Sequence, residues 1–321
     1  MNQIFIDASL LKDGSCFRRI WWRAALNRQP EYRRDNYKLA FANALHYFME
    51  SYYKDFSVKD SIIKATNYYK PWEEKIQTWS NFEFRSTTNL MKICKTYAKL
   101  YPRDVNDLVP LSNDKGEPTV EYKFSVPYFI TPNGLYQIFL CGTLDIVAAY
   151  QGYKMLLVDH KTDSFAGKTE ETRQNFFDSY EMNIQTMFYS WMYKRELALD
   201  FYPPVMINGI FPKKPTVKAA DENRFDGVIF QRSPIIEYSN EQMENFQKWL
   251  IRKLGLIVEF VCALSNDKDE GSDVYELAAC NVGYGRICEY FNICKLPEKF
   301  HKAQLENKYV EEQYNPLAFR D

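Results

Sequence analysis

Cys141-Gly-Thr-Leu-Asp-Ile-Val-Ala-Ala-Tyr150 and Tyr153-Lys-Met-Leu-Leu-Val-Asp-His-Lys161, joined through Gln151-Gly152, decide how this 321-residue chain is read. Two apolar runs of strand length flank a glycine that can take the positive φ of a tight connection, so the stretch predicts a β-hairpin. Side chains alternate along a strand. Asp159 and Lys161 therefore share a face, and Asp145 in the preceding strand can stand beside them. Two close carboxylates repel, and a buried charge costs several kcal/mol, about 3 or more, unless it is paired or metal-bound. A divalent cation removes that cost. Oxygen ligands such as Asp145 and Asp159 suit Mg²⁺ or Mn²⁺, and an adjacent lysine can hold an attacking hydroxide or offset charge developing in a transition state. The plainer alternative is a surface hairpin carrying an ordinary Asp–Lys pair of little energetic weight.

Working outward, Thr119–Ile130 reads as a strand in which Val120, Tyr122, Phe124 and Val126 alternate with polar residues, and Pro132-Asn-Gly134 turns it back into the hairpin as an antiparallel meander. Glu121 falls on the polar side of that alternation and reads as exposed, with a further acid near the site as the other option. Upstream, Tyr37–Tyr53 has apolar residues (Leu39, Ala42, Met49, Tyr53) at helical steps with His46 in the same register, so His46 faces inward. Residues 57–105 read as amphipathic helix. Downstream, Thr162–Asn175 reads as a mobile polar loop, followed by a helix over Phe177–Leu197 that places Gln185 and Tyr189 one turn apart. Val205–Phe211 and Phe225–Gln231 read as strands, and Asn240–Leu264 as a long amphipathic helix.

Gly142-Thr-Leu-Asp145, followed by Val158-Asp159-His160-Lys161-Thr162, resembles the D…(D/E)xK signature of the PD-(D/E)xK nuclease superfamily, in particular its RecB-like branch. Gln185-Thr-Met-Phe-Tyr189 is similar to that branch's QxxxY helix, and His46 sits where the branch places a metal-binding histidine, with Ala42 where a glycine is expected. The resemblance implies an α/β (α+β) fold: a restriction-endonuclease-like core with a mixed central sheet flanked by helices. It divides the chain into an N-terminal helical region (1–110) carrying Cys16 and His46, a nuclease core (111–235), and a C-terminal helix with a cysteine staple (236–321). It further implies that His46, Asp145, Asp159 and the backbone carbonyl of His160 bind Mg²⁺ or Mn²⁺, that Lys161 assists the attacking water, and that Gln185 and Tyr189 orient the lysine or contact the DNA backbone.

Cys280, Cys288 and Cys294 put three thiols within fifteen residues around glycine turns, a pattern that can wrap one soft metal centre, with Cys16 at the far end of the chain as the fourth ligand. Structural zinc and free core thiols are the alternatives. One cysteine before the core and three after it resembles the 4Fe-4S cluster of the iron-sulfur exonucleases in the RecB-like branch, although the Cys280–Cys288 gap is wider than the family's CxxC.

Lys plus Arg is 41 against 42 for Asp plus Glu, a formal charge of -1, so any nucleic acid must be met by a local patch. Arg18 and Arg19, among tryptophans, and Lys213-Lys214 in a loop are the candidates, each with a solvated or core-packed reading beside it. Aromatics at 17% suit base stacking. No secretory pattern opens the sequence and no long apolar run exists, giving the expectation of a soluble protein without a membrane span. The resemblance places it in the cytoplasm of a bacterial or phage-infected cell. With no GxxxxGK(S/T) loop, the chain is not read as a motor. The resemblance, taken with these features, implies a metal-dependent deoxyribonuclease, an exonuclease on single-stranded or frayed DNA working beside a helicase or other DNA-processing protein. A non-catalytic DNA-binding or assembly protein of the same fold is the rival.

Overall fold

The computed structural model describes residues 1–13, 16–30, 37–76, 85–103, 108–216, 225–265 and 288–317. Its centre is the long strand β5 (Tyr136–Tyr150), which turns at Gln151 (φ 43) and Gly152 (φ 89) into antiparallel β6 (Tyr153–Thr162). The other strands are β1 (Asn2–Ile6), β2 (Arg28–Pro30), β3 (Val109–Pro110), β4 (Val120–Ile130), β7 (Val205–Pro212), β8 (Val228–Arg232) and β9 (Tyr309–Glu311). The main sheet runs β1-β5-β6-β7-β8, with β4 and β3 along the remaining edge of β5; β1 joins β5 and β7 joins β6 in parallel, and the other pairings are antiparallel. Every residue of β7 is buried, as a central strand covered on both faces requires.

The helices are α1 (Ala8–Asp13), α2 (Phe17–Ile20), α3 (Tyr37–Tyr53), α4 (Val58–Ile76), α5 (Thr87–Leu100), α6 (Glu170–Asp178), α7 (Ile184–Glu196), α8 (Asn240–Ser265), α9 (Phe291–Cys294) and α10 (His301–Lys308). They form two layers. On one face of the sheet Phe41, Leu45, Phe48, Leu90, Ile93 and Tyr97 of α3 and α5 pack on Ile146, Leu156, Val158 and Met206. On the other, Leu10, Phe188, Met192, Leu250 and Leu254 of α1, α7 and α8 pack on Ile138, Leu144, Leu157 and Ile207. The inward stripe of α3 is Ala40, Phe41, Ala44, Leu45 and Phe48; Leu39 is exposed, so the stripe is rotated from the one the sequence suggests.

Three features depart from the sequence reading. β1 lies in the N-terminal segment expected to be helical, because its alternating Ile4 and Ile6 extend the core beside Ile138 and Leu140. Thr162–Asn175 is an ordered connection: a 3₁₀ turn (Ala166–Lys168) leads into α6, whose start is closed by reciprocal Thr169–Thr172 bonds of 3.1 and 3.0 Å. Many aromatics lie inside, Tyr52, Tyr69, Tyr97, Phe41, Phe48 and Phe188 being fully enclosed, so aromatic content reports core packing before base stacking.

Candidate active site

β5 changes partner along one edge. Its residues Tyr136–Leu140 pair with β1, and Ile146–Tyr150 pair with β6. Between them, at Cys141–Asp145, the sheet forks. The β5–β6 ladder pairs Ile146 with Val158; one further step sets Asp145 opposite Asp159, and there the His160 backbone N–H donates to Asp145 Oδ2 at 2.6 Å. A side-chain carboxylate thus takes an N–H at the point where the strands part.

On the other edge of β5 the pleat breaks at the same level. Val120 pairs with Ile146 and both pack toward α3, whereas Tyr122 pairs with Leu144 and both pack toward α7. Faces can switch across two residues only if the one between leaves regular strand geometry. Glu121 does so with φ 55, a conformation uncommon for a residue with a Cβ. The irregularity turns the Glu121 carboxylate inward, where ligand atoms of His46, Glu121 and Asp145 lie within 4.8 Å of one another. His46 Nδ1 stands 3.5 Å from Asp145 Oδ1. The expectation that Glu121 is exposed is therefore corrected, and strict alternation could not have revealed it.

Asp159 and Lys161 point to the α7 face, with Lys161 Nζ 2.7 Å from Asp159 Oδ2 and 6.0 Å from the Tyr180 ring. Burial pushes the Asp145 carboxyl above its ordinary range against the pull of His160 and Lys161. Burial likewise raises Asp159, to about 6, with Lys161 opposing and the Asp145 charge adding to the rise. For Lys161 burial favours the neutral amine, but Asp159, Tyr180 and Asp145 outweigh it and hold the ammonium above its usual value. Oxygen-rich, and with burial disfavouring its carboxylate charges, this donor set fits a divalent metal ion. Gln185 Nε2 donates to the Tyr189 hydroxyl at 3.1 Å on α7, and the nearby Asp159 charge helps burial raise the Tyr189 phenol.

The His160 side chain points the other way, into the α3 layer. Its Nδ1 is 2.8 Å from Asn208 Nδ2; Asn208 also donates to the Tyr97 hydroxyl at 3.2 Å, and Tyr97 and Tyr53 hydroxyls are 2.6 Å apart. The imidazole stacks on Tyr53 and meets the His46 ring edge-on, centroids 6.0 Å apart. Burial pushes its pKa down to about 3, so it is neutral. Asn208 was not anticipated, yet a polar residue in the apolar run Val205–Phe211 was a legible signal, since a buried amide needs partners.

Arg18 and Arg19 do not face solvent: both are buried, and Arg19 bonds Glu289 at 2.9 Å. The Arg19 guanidinium there ties the chain's ends together, and the burial of both side chains corrects the expectation that they bind phosphates. Lys213 and Lys214 follow β7 at the end of the sheet that also carries Lys161, with Lys214 exposed. Cys16 stands just before α2 and is buried, Cys288 is buried with its thiol raised to about 11 by burial and with Cys16 among its neighbours, and Cys294 ends α9 half-buried. Cys280 lies outside the described residues. The segments around them meet through Trp22–Tyr290 packing and the β2–β9 pairing.

Among the described residues, no helix is long and apolar enough to cross a membrane. No curated protein matches the chain. A family model for the PD-(D/E)XK nuclease superfamily matches residues 14–295, a span enclosing every residue of the forked site. With that match over most of its length, and a mixed central sheet between helical layers carrying the paired acids and lysine, the chain belongs to the PD-(D/E)XK nuclease superfamily and has its restriction-endonuclease-like fold.

Proposed function

We propose that the protein is a Mg²⁺- or Mn²⁺-dependent deoxyribonuclease of the RecB-like kind. The observation that carries this reading is the convergence of His46, Glu121 and Asp145 from three elements, with Asp159 and Lys161 across the fork. His46, Glu121, Asp145, Asp159 and the carbonyl of His160 would hold the metal, which when bound supplies Lewis acidity and lowers the pKa of water. Lys161, kept charged by Asp159, orients the attacking water and offsets charge building on the phosphate. Gln185 and Tyr189, bonded to each other on α7, would orient the lysine or contact the DNA backbone. Lys214 and Lys213, at the same end of the sheet, are the phosphate-contacting candidates that the burial of Arg18 and Arg19 leaves.

The form proposed is an exonuclease on single-stranded or frayed DNA, in repair, recombination, replication or phage- or CRISPR-type processing in the cytoplasm. A helicase or other DNA-processing partner would supply such ends, since the chain has no phosphate-loop motif of its own. Cys16, Cys280, Cys288 and Cys294 would hold a 4Fe-4S cluster, with zinc as the alternative; the meeting of the two chain ends supports this placement. Anaerobic purification separates the two, because absorbance near roughly 400 nm marks iron-sulfur and zinc is colourless. The three regions 1–110, 111–235 and 236–321 remain the proposed organisation. End-labelled single- and double-stranded DNA digested with Mg²⁺, Mn²⁺ or chelator tests the activity. Metal-dependent cleavage by the wild type and none by Asp159→Ala is the expected result, and equal cleavage by both removes the catalytic reading.

A further inference from the structure

Four residues beyond Lys161 the chain presents Phe165, 63% exposed and the most exposed phenylalanine among the described residues. Exposure of one apolar ring is ordinary on a protein surface. Here the backbone beneath it is rigidly built. Asp163 Oδ1 accepts both the Phe165 N–H (2.6 Å) and the Ala166 N–H (2.8 Å), while the Asp163 N–H is fastened to Ile210 O at 3.1 Å. Ala166 is buried, and a Cβ placed on Gly167 would come 2.8 Å from Phe211 Cβ, so the turn is seated against β7 with no room to slide. Thr172 Oγ1 closes the far side by donating to Ala166 O at 2.8 Å. The fold thus fixes the backbone that presents this apolar ring to water. Beside it, Lys168 Nζ lies 4.4 Å from the ring centroid.

An aromatic face paired with a cation, carried on a well-anchored turn just after the strand that bears Lys161, matches the chemistry of an unpaired nucleotide: a base to stack and a phosphate to neutralise. We infer that Phe165 and Lys168 form a stacking platform for an unpaired nucleobase next to the scissile phosphate. The platform selects single-stranded or frayed ends, because a base inside a duplex has both faces covered by its neighbours. This inference builds on the nuclease reading above and adds the residues that set its substrate class.

The test uses the full chain with Mg²⁺ and two single strands of about 20 nucleotides, one carrying normal bases and one carrying tetrahydrofuran abasic sites. Stacking on a side chain is worth about 1–3 kcal/mol per base, so the wild type is expected to favour the base-bearing strand by about tenfold in KM. Phe165→Ala should erase that preference, and Phe165→Trp should restore it. If Phe165→Ala keeps the discrimination, or weakens both strands equally while Phe165→Trp fails to rescue, the platform is wrong. If the wild type cleaves neither strand, the nuclease reading fails separately. The same strands then report on the platform by fluorescence anisotropy in chelator, where loss of base discrimination in Phe165→Ala supports it and retained or absent discrimination overturns it.

Discussion

Asp159 shows how much of the site is a matter of single residues. Its carboxyl titrates near 6 in the folded protein against an ordinary 3.8, so the native state holds the proton more tightly than the unfolded chain does. Metal-free stability therefore falls as pH rises between about 4 and 6 and is level above that. Asp159→Asn removes this dependence. In chelator, its melting temperature should exceed that of the wild type by a margin that grows from pH 4 to pH 6, while cleavage is lost; a margin independent of pH would contradict the assignment. His160 acts in the opposite sense. With its pKa lowered to about 3, it resists a proton that the unfolded chain accepts, so its contribution is present above about 6.5 and is lost as pH falls toward 3. Asn208→Leu leaves the His160 ring without its 2.8 Å partner, and by loosening the backbone whose carbonyl is the proposed ligand should weaken metal affinity by about tenfold, as loss of supporting bonds around a metal site commonly does, with Asn208→Asp, which also lacks the donating amide, no milder. Unaltered Mn²⁺ affinity in both would show that the network serves packing alone. Asp145, Asp159 and Lys161 could be read from alternation and spacing. Glu121 could not, because its inward turn comes from a backbone irregularity that no residue type announces.

At the scale of elements, the forked strand β5 makes the site. Gly142 lies in the fork, and a Cβ there would come 2.6 Å from Phe124 Cζ and 3.0 Å from Tyr189 Cε1. Gly142→Ala must therefore displace the Phe124 ring and press on the ring of Tyr189 itself. The expected cost is about 1–3 kcal/mol of stability by overpacking, with a larger fractional loss of turnover than of fold, measured by urea unfolding beside steady-state cleavage. Wild-type turnover in a destabilised variant would separate Tyr189 from the chemistry. The hairpin, the helix bearing His46 and the QxxxY helix were legible because their apolar periods run long enough to be seen. β1 was not, since five residues at a chain end carry little pattern and gain their meaning from a partner more than a hundred residues away. The order of Thr162–Asn175 was hidden for a related reason: its polar residues spend their hydrogen bonds on each other and on β7.

Across the whole molecule, the two ends of the chain are fastened to each other. Arg19 and Glu289 form an enclosed ion pair, β2 pairs with β9, and the Tyr314 hydroxyl donates to Asp7 Oδ1 at 2.8 Å just after β1. Removing one partner of a buried pair leaves the other charge uncompensated. Glu289→Ala should therefore destabilise the protein by about 3–5 kcal/mol, seen as a large drop in melting temperature, whereas a shift near zero would mean that the ends contribute little. Sequence spacing suggested that the ends meet, through thiols; it gave no sign that a salt bridge and a two-stranded sheet would do so as well. The same long-range closure brings together the proposed metal ligands, which come from α3, β4, β5 and β6. Calorimetric titration of Mn²⁺ into the wild type, Glu121→Gln and Asp145→Asn tests that closure most directly. The account predicts saturable binding by the wild type at pH 7, weakened by about tenfold or more in Glu121→Gln, as for loss of a ligand, and abolished in Asp145→Asn; equal affinity in all three proteins would contradict it.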